Sequence, residues 1–450
     1  MIKPLNKRVA IHLCLLMSLW GWGVALNSAF AAEPPSPVSL QQLIDATPAG
    51  GILKLPTVTY QEAVIVKKPI SIISESNATI VNKIEDRPAI RIEADNVLLK
   101  GISVVQEGRG ETSAVLLKSS HNIIDSLDIR TQSFGIQIQD GSYNEIKNTS
   151  IRRNAQESGS YKLTQKRNGI DLFNAHDNVI IGNTISSMFD GIYLESSHRN
   201  RLENNRIDHS RYGVHCMYTE GTLVKGNTGM FNITGAMVMG VKGAEVSGNT
   251  FIKQYESVNS QGLLFFDVQG SRIRNNKVEG NRVGLYIEQS HDNEFENNEV
   301  SYNFVGVQFI ESESNRFTLN DFIGNVIEAQ ATDSQNNSFS GNFWDAFRGI
   351  DTNGDKISEL PYRINPFFQR LTSKNVAYQL FFQSPGMQFL ESMSVVKQSD
   401  WSIDRAPLMK PVQLIRTNTD AHSSSTQLLV STLLLLLSVI TIYFLGVKRR

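Results

Sequence analysis

Cysteine is almost missing from this chain: among 450 residues only Cys14 and Cys216 occur. Cys14 lies in a segment expected to be removed, so one thiol remains and a disulfide framework is excluded. A basic excess is missing as well. The formal charge is -1, which gives no electrostatic footprint for nucleic acid. No G-x-x-x-x-G-K-[ST] loop is present, so nucleotide hydrolysis has no seat here. The L-x-x-L-x-L pattern of leucine-rich repeats is missing too.

What is plentiful is glycine and asparagine in step. From about Asn168 to Trp344, G-N or N-N pairs recur. Their second members are Asn183, Asn205, Asn227, Asn249, Asn276, Asn298, Asn320 and Asn342, at intervals of 22, 22, 22, 27, 22, 22 and 22 residues. Gly169, Gly191, Gly213, Gly235, Gly262, Gly284 and Gly306 keep the same spacing and share the same five-residue insertion. A short fixed period means stacked supersecondary units. This one is too short for tetratricopeptide, ankyrin or propeller repeats, and predicts a right-handed parallel β-helix, an all-β fold. Asn suits its turns because it tolerates left-handed backbone, and stacked Asn side chains can form ladders.

Strand parity turns the repeat into a map of faces. The first and third residues after each Gly, such as Ile192/Leu194, Val214/Cys216 and Leu263/Phe265, are apolar or Cys and point inward. The second and fourth point outward. They run Asp171/Phe173, Tyr193/Glu195, His215/Met217, Met237/Met239, Leu264/Phe266, Tyr286/Glu288. His215, Met217, Met237 and Met239 then form a soft outward patch whose thioethers and imidazole suit Cu(I). The same patch also reads as an apolar docking surface. Asp351, Asn353 and Asp355 alternate like the first half of a calcium loop, but Lys356 and Tyr362 stand where such a loop carries Gly and Glu. An ordinary Asx-rich turn is the competing reading. Asp171, Asp190, Glu195, Arg211 and His215 fall on one wall and supply acid–base groups of the kind β-helix lyases, hydrolases and epimerases use. Little Arg or Lys stands there to bind a polyuronate.

The flanks complete the organisation. Residues 1–31 read as a signal peptide, with Lys3, Lys7 and Arg8 before an apolar run and Ala29-Phe30-Ala31 at its end. Residues 32–50 hold an N-terminal cap helix, with Ser39 and Gln42 as a capping box. The β-helix spans 51–345, and 346–416 is a C-terminal cap or partner-docking region. Residues 417–427 are a linker. Residues 428–446 form an apolar segment long enough, at roughly 28 Å as a helix, to be a transmembrane anchor. Residues 447–450 are a basic tail that would stay cytoplasmic.

Several motifs resemble one family, the nitrous oxide reductase maturation protein NosD. They are F-D-G-I-Y-L-E-S-S-H-R-N at Phe189–Asn200, Y-G-V-H-C-M-Y-T at Tyr212–Thr219, G-A-M-V-M-G at Gly235–Gly240, G-N-F-W-D at Gly341–Asp345, D-T-N-G-D-K-I at Asp351–Ile357, Pro361-Tyr362-Arg363 and Ala406-Pro407-Leu408-Met409. In the second, Cys216 stands where relatives commonly have Tyr, and in the third only Met237 matches firmly. The resemblance implies a non-enzymatic periplasmic subunit of an ABC-type complex, held to the inner membrane by its C-terminus. It would serve assembly of the copper centre of nitrous oxide reductase, by passing Cu(I) or by scaffolding. Its partners would be an ATPase and a permease, a copper chaperone lipoprotein and the reductase. The alternative from the residues alone is a carbohydrate-active lyase or epimerase, or a surface binding module.

Overall fold

A computed structural model describes residues 39–154, 166–254, 257, 259–334, 336–364 and 402–412, with isolated residues elsewhere. The chain divides into two compact units, Met1–Ser39 and Leu40–Arg450, and the β-helix lies wholly in the second. The expected signal peptide lies outside the described residues, as do the linker, the basic tail and residues 155–165.

Each coil carries three short strands. In one coil these are Val179–Ile181, Thr184–Ser186 and Asp190–Glu195. Every such strand pairs in parallel with its counterpart one coil on, so three parallel sheets run the length of a right-handed solenoid. The register follows the 22-residue period: Ile192 pairs with Val214 and Val214 with Ala236. Ala236 then pairs with Leu263, so the five extra residues shift no side chain of the sheet to the other face. The longer step from Gly135 to Gly169 behaves alike, with Ile136 opposite Ile170. Both insertions leave at one corner, just ahead of a third-sheet strand.

The inward positions are buried as parity predicts, Cys216 among them at 1% exposure. Toward the C-terminal end the core turns aromatic. Phe295, Phe317 and Phe339 stack at 4.4 and 4.9 Å, and Phe322 stacks on Trp344 at 4.2 Å.

The paired turn residues divide their work. The first member takes the left-handed conformation, as at Gly182 (φ 67°), Asn204 (φ 54°) and Asn275 (φ 54°). The second member turns its side chain inward. Asn205 donates its backbone N–H and its Nδ2 to Oδ1 of Asn227, at 2.9 Å each, and its Nδ2 also donates to the Ile180 carbonyl. Asn183 donates to Asn205 in the same way. This ladder runs from Thr149 to Asn342. Two more stand at the other corners, through Asn122, Asn144, Asn178 and Asn200, and through Asn281, Asn303 and Asn325. Each satisfies buried backbone N–H groups at a corner where no strand can.

Both ends are closed. The expected helix is Leu40–Ala46 and buries Leu40 and Ile44. Gln41 accepts from the Ile65 N–H at 2.8 Å and donates to its carbonyl at 3.1 Å, pairing the open edge strand through one side chain. At the far end the strand Ser402–Asp404 joins the first sheet. Oδ2 of Asp404 accepts from the Asn342 N–H, the Asn342 Nδ2 and the Trp344 indole at 3.1, 2.9 and 3.0 Å. Within the segment expected to cap or dock, the Leu408 and Val412 N–H groups add to this closure, donating to the Asn342 carbonyl and to Asp321 Oδ1 at 2.9 and 2.8 Å.

The expected membrane anchor is not sustained. Among the described residues no helix is long and apolar enough to cross a membrane. Of 428–446, all but Leu434 and Ser438 lie outside those residues. Over the described residues the fold class is therefore the all-β solenoid, with no C-terminal transmembrane helix among them. Attachment to the inner membrane, as partner and as location, is withdrawn with it.

Asn205→Ala removes the Nδ2 donor and the Oδ1 acceptor of the rung, and so strands the donors of Asn183, which should cost about 2–4 kcal/mol in urea unfolding. Arg206→Ala, next along the chain but exposed, should stay within about 0.5 kcal/mol. Equal effects would contradict the ladder's role.

Candidate active site

The outward face of the third sheet carries two rows. One runs Gln137, Asp171, Tyr193, His215, Met237, Leu264, Tyr286 and Gln308. The other runs Phe173, Glu195, Met217, Met239, Phe266 and Glu288. The expected neighbours His215/Met237 and Met217/Met239 are indeed opposite one another.

The residue just before each repeat Gly also matters. Asp190 and Tyr212 are paired in this position. Asp190 is 1% exposed, and Arg211 grips it with both arms, Nε to Oδ1 at 2.8 Å and Nη2 to Oδ2 at 2.7 Å. His215 Nδ1 lies 2.9 Å from the same Oδ2. Burial alone would push the Asp190 carboxyl up, but the bonds from His215 and Arg211 outweigh it and hold the group below the usual carboxylate range. An ionised carboxylate only accepts, so Nδ1 carries the proton of His215. That leaves Nε2 as the ring's open nitrogen. It is buried and has no hydrogen-bond partner. Tyr193 and Tyr212 flank the imidazole, each with its ring centroid at 4.9 Å. The Arg211 guanidinium lies over Phe189 at 3.8 Å and over Tyr212 at 4.3 Å.

Asn168 links this dyad to a second carboxyl. Its Oδ1 accepts from the Asp190 N–H at 3.2 Å and its Nδ2 donates to Asp171 Oδ2 at 2.6 Å. The Asp171 carboxyl is pushed up to about 6, first by burial and then by the charges of Glu195 and Asp190. Beside it the Tyr193 hydroxyl donates to Glu195 Oε2 at 2.8 Å and touches Met217 Sδ at 3.9 Å. Burial, then the bond to Glu195, pushes that hydroxyl up. The five residues expected on a common wall therefore do share one. Parity counted from the Gly onward passes over Asn168 and Tyr212, which sit ahead of it. A tally of polar and aromatic residues at the position before each Gly would find them.

The copper patch is placed differently from expectation in one respect. His215 faces outward from the sheet yet is only 6% exposed, because the two tyrosines enclose it. Cys216 points into the core, and burial pushes its thiol up to about 12. In the 351–359 loop, Asp351 accepts from the Gly354 and Lys356 N–H groups at 2.7 and 3.0 Å. Asn353 accepts from the Asp355 N–H and Asp355 from the Ile357 N–H, both at 2.8 Å. These oxygens close the loop on itself. Among the described residues no group of three or more His, Cys, Asp or Glu is placed to hold a metal ion.

Fold and wall together define a parallel β-helix bearing an acid–base cluster on one sheet. Comparison with known proteins adds a family profile described as "Periplasmic copper-binding protein (NosD)", which matches residues 153–349. No curated protein matches the chain. Among solved structures the chain is similar to the alginate lyase AlyF-OU02, with TM-score 0.50 and 12% identity, over 67% of this chain and 81% of that one. It is also similar to the periplasmic alginate epimerase AlgG, with TM-score 0.48 and 14% identity, over 67% and 80%. A thermostable alpha-1,3-glucanase from Streptomyces thermodiastaticus gives TM-score 0.48 and 13% identity, over 68% and 62%. At these identities the likeness establishes the fold alone.

The expectation of a non-catalytic, copper-passing subunit for nitrous oxide reductase assembly is corrected by these findings. The imidazole expected to hold Cu(I) on an exposed face is buried, with Nδ1 committed to Asp190, and among the described residues no group of three or more His, Cys, Asp or Glu surrounds it to hold a metal ion. The wall instead gathers paired carboxyls, an oriented histidine and tyrosines, the groups the carbohydrate-active alternative requires.

A carboxyl raised on folding contributes stability that is full below its unfolded pKa and is lost as pH rises through the folded one. For Asp171 that window lies between about 4 and 6. Asp171→Asn should thus gain stability over the parent above pH 6, by at most about 3 kcal/mol, and match it near pH 4. Urea unfolding at both pH values reads the difference. A gap independent of pH would contradict a buried, proton-retaining carboxyl.

Proposed function

We propose that the protein is a carbohydrate-active β-helix enzyme, working outside the cytoplasm on a polysaccharide by general acid–base catalysis. The observation that carries this reading is the Asp190-oriented His215, with Nε2 unpartnered, in one hydrogen-bonded network with the proton-retaining Asp171. Export is supported by the leader-like residues 1–31 and by the word "periplasmic" in the matching family's description.

Breaking a glycosidic bond needs one group to protonate the departing oxygen and another to take a proton, from water in hydrolysis or from carbon in elimination. Asp171 keeps its proton to higher pH than an ordinary carboxyl and serves as the acid. His215 takes the proton at Nε2, while Asp190 fixes its tautomer and stabilises the imidazolium that forms. Arg211 keeps Asp190 ionised and in place. Asp190 and Arg211 are thus positioning residues, and His215 and Asp171 the pair that meets substrate.

The test is turnover of the full chain on a panel of anionic, neutral and amino polysaccharides, read by new chain ends. His215→Ala and Asp171→Ala should each lower kcat by about 10²–10⁴-fold on the substrate found. Asp190→Asn should lower kcat with little change in KM. Absence of turnover on every class, or turnover unaffected by His215→Ala in a folded variant, refutes the assignment.

A further inference from the structure

Resting on the carbohydrate reading, we propose that this wall binds an extended glycan bearing amino groups rather than carboxylates, laid along the solenoid axis. Three observations converge.

The first is charge. Asp171, Asp190 and Glu195 lie close enough to raise the Tyr193 hydroxyl together. Among the described residues, three guanidiniums along this corner are committed: Arg211 to Asp190, Arg167 to Glu111, and Arg282 stacked over the Phe304 ring. Arg211 cancels Asp190, so Glu195, joined by Asp171 as that carboxyl ionises around pH 6, leaves the site with surplus negative charge. A uronic acid polymer would bring a further carboxylate into that field, and like charges at close range in a half-buried site repel strongly. An ammonium on a sugar ring is the complementary group.

The second is an unsatisfied atom. His215 is 94% buried, since only 6% of it is exposed, and its Nε2 has no hydrogen-bond partner. Buried polar atoms without partners are uncommon and point to a missing one. With Nδ1 carrying the proton, Nε2 is an acceptor, and a sugar amino or hydroxyl group supplies the donor.

The third is repetition along the axis. The Tyr193–Glu195 pair recurs as Tyr286–Glu288, with the hydroxyl donating to the carboxylate at 2.9 Å against 2.8 Å in the first. The two pairs stand four strand steps apart, through His215, Met237 and Leu264. At about 4.8 Å a step this is about 19 Å, beyond the reach of a single sugar. Between them Met237, Met239, Leu264 and Phe266 are half-buried apolar positions, suited to the C–H faces of pyranose rings. A polar pair, an apolar floor and a second polar pair describe a track for a chain.

Isothermal titration of the full chain tests this without needing turnover. The probes are chitosan, N-acetylated chitin and galacturonan oligosaccharides, as disaccharides and octasaccharides, at pH 6. Chitosan octasaccharide should bind at least about tenfold more tightly than its galacturonan counterpart, and more tightly than the disaccharide. Asp171→Asn should weaken both chitosan lengths, whereas Glu288→Gln should weaken only the octasaccharide. Equal or tighter galacturonan binding, no chitosan binding, or an octasaccharide indifferent to Glu288→Gln overturns the inference. Chitosan binding with no turnover on any polysaccharide sinks the enzymatic assignment and leaves the track standing. His215-dependent turnover of galacturonan without chitosan binding does the reverse.

Discussion

The structure depends on one side-chain amide answering the next. Stacked coils bury three corners where the chain turns, and at each corner backbone N–H groups point along the axis with no strand to receive them. The asparagine ladders receive them instead. Because each rung is bonded to the rungs above and below, a coil cannot slide or rotate without stranding several donors at once. That constraint lets the strands of two of the three sheets be only two to four residues long. It also absorbs insertions, since a loop that returns to its rung returns to register.

This frame gives the wall its chemistry. Outward residues are delivered at fixed spacing, so neighbours in space come from positions one period apart in sequence. Asp171, Tyr193 and His215 are adjacent for this reason alone. What makes them a network, and not a row, is the position ahead of each Gly. There Asn168, Asp190 and Tyr212 tie one coil to the next across the face. Arg211 then acts twice, neutralising Asp190 and covering Tyr212 and Phe189 with its guanidinium.

The solenoid, its inward positions and the opposite placement of Cys216 and His215 are legible in the sequence. A period shared by two markers leaves little freedom once a strand alternates. The limits have equally physical causes. Parity tells which side of a sheet a residue leaves from, but not what closes over it. His215 therefore reads as exposed, because Tyr212 lies outside the count. Two of the three ladders escape a search for Asn alone, because Ser, Thr and Gln replace it on some rungs, as Gln254 does between Asn232 and Asn281. The role of Asp404 has no signal, since it lies 62 residues from Asn342 and belongs to no repeat.

Asp404 has a consequence beyond closing the end. In the longest ladder every asparagine gives its backbone N–H and one Nδ2 proton to the next rung toward the C-terminus and accepts at Oδ1 from the rung before, so from amide to amide the file is one-way. Such a file needs a last member that accepts and gives nothing, and a carboxylate meets that need where another asparagine would only pass it on. The solenoid therefore carries a full stop. A chain that lost it would end in unanswered donors over an aromatic stack, a surface fitted to take up the edge of another strand.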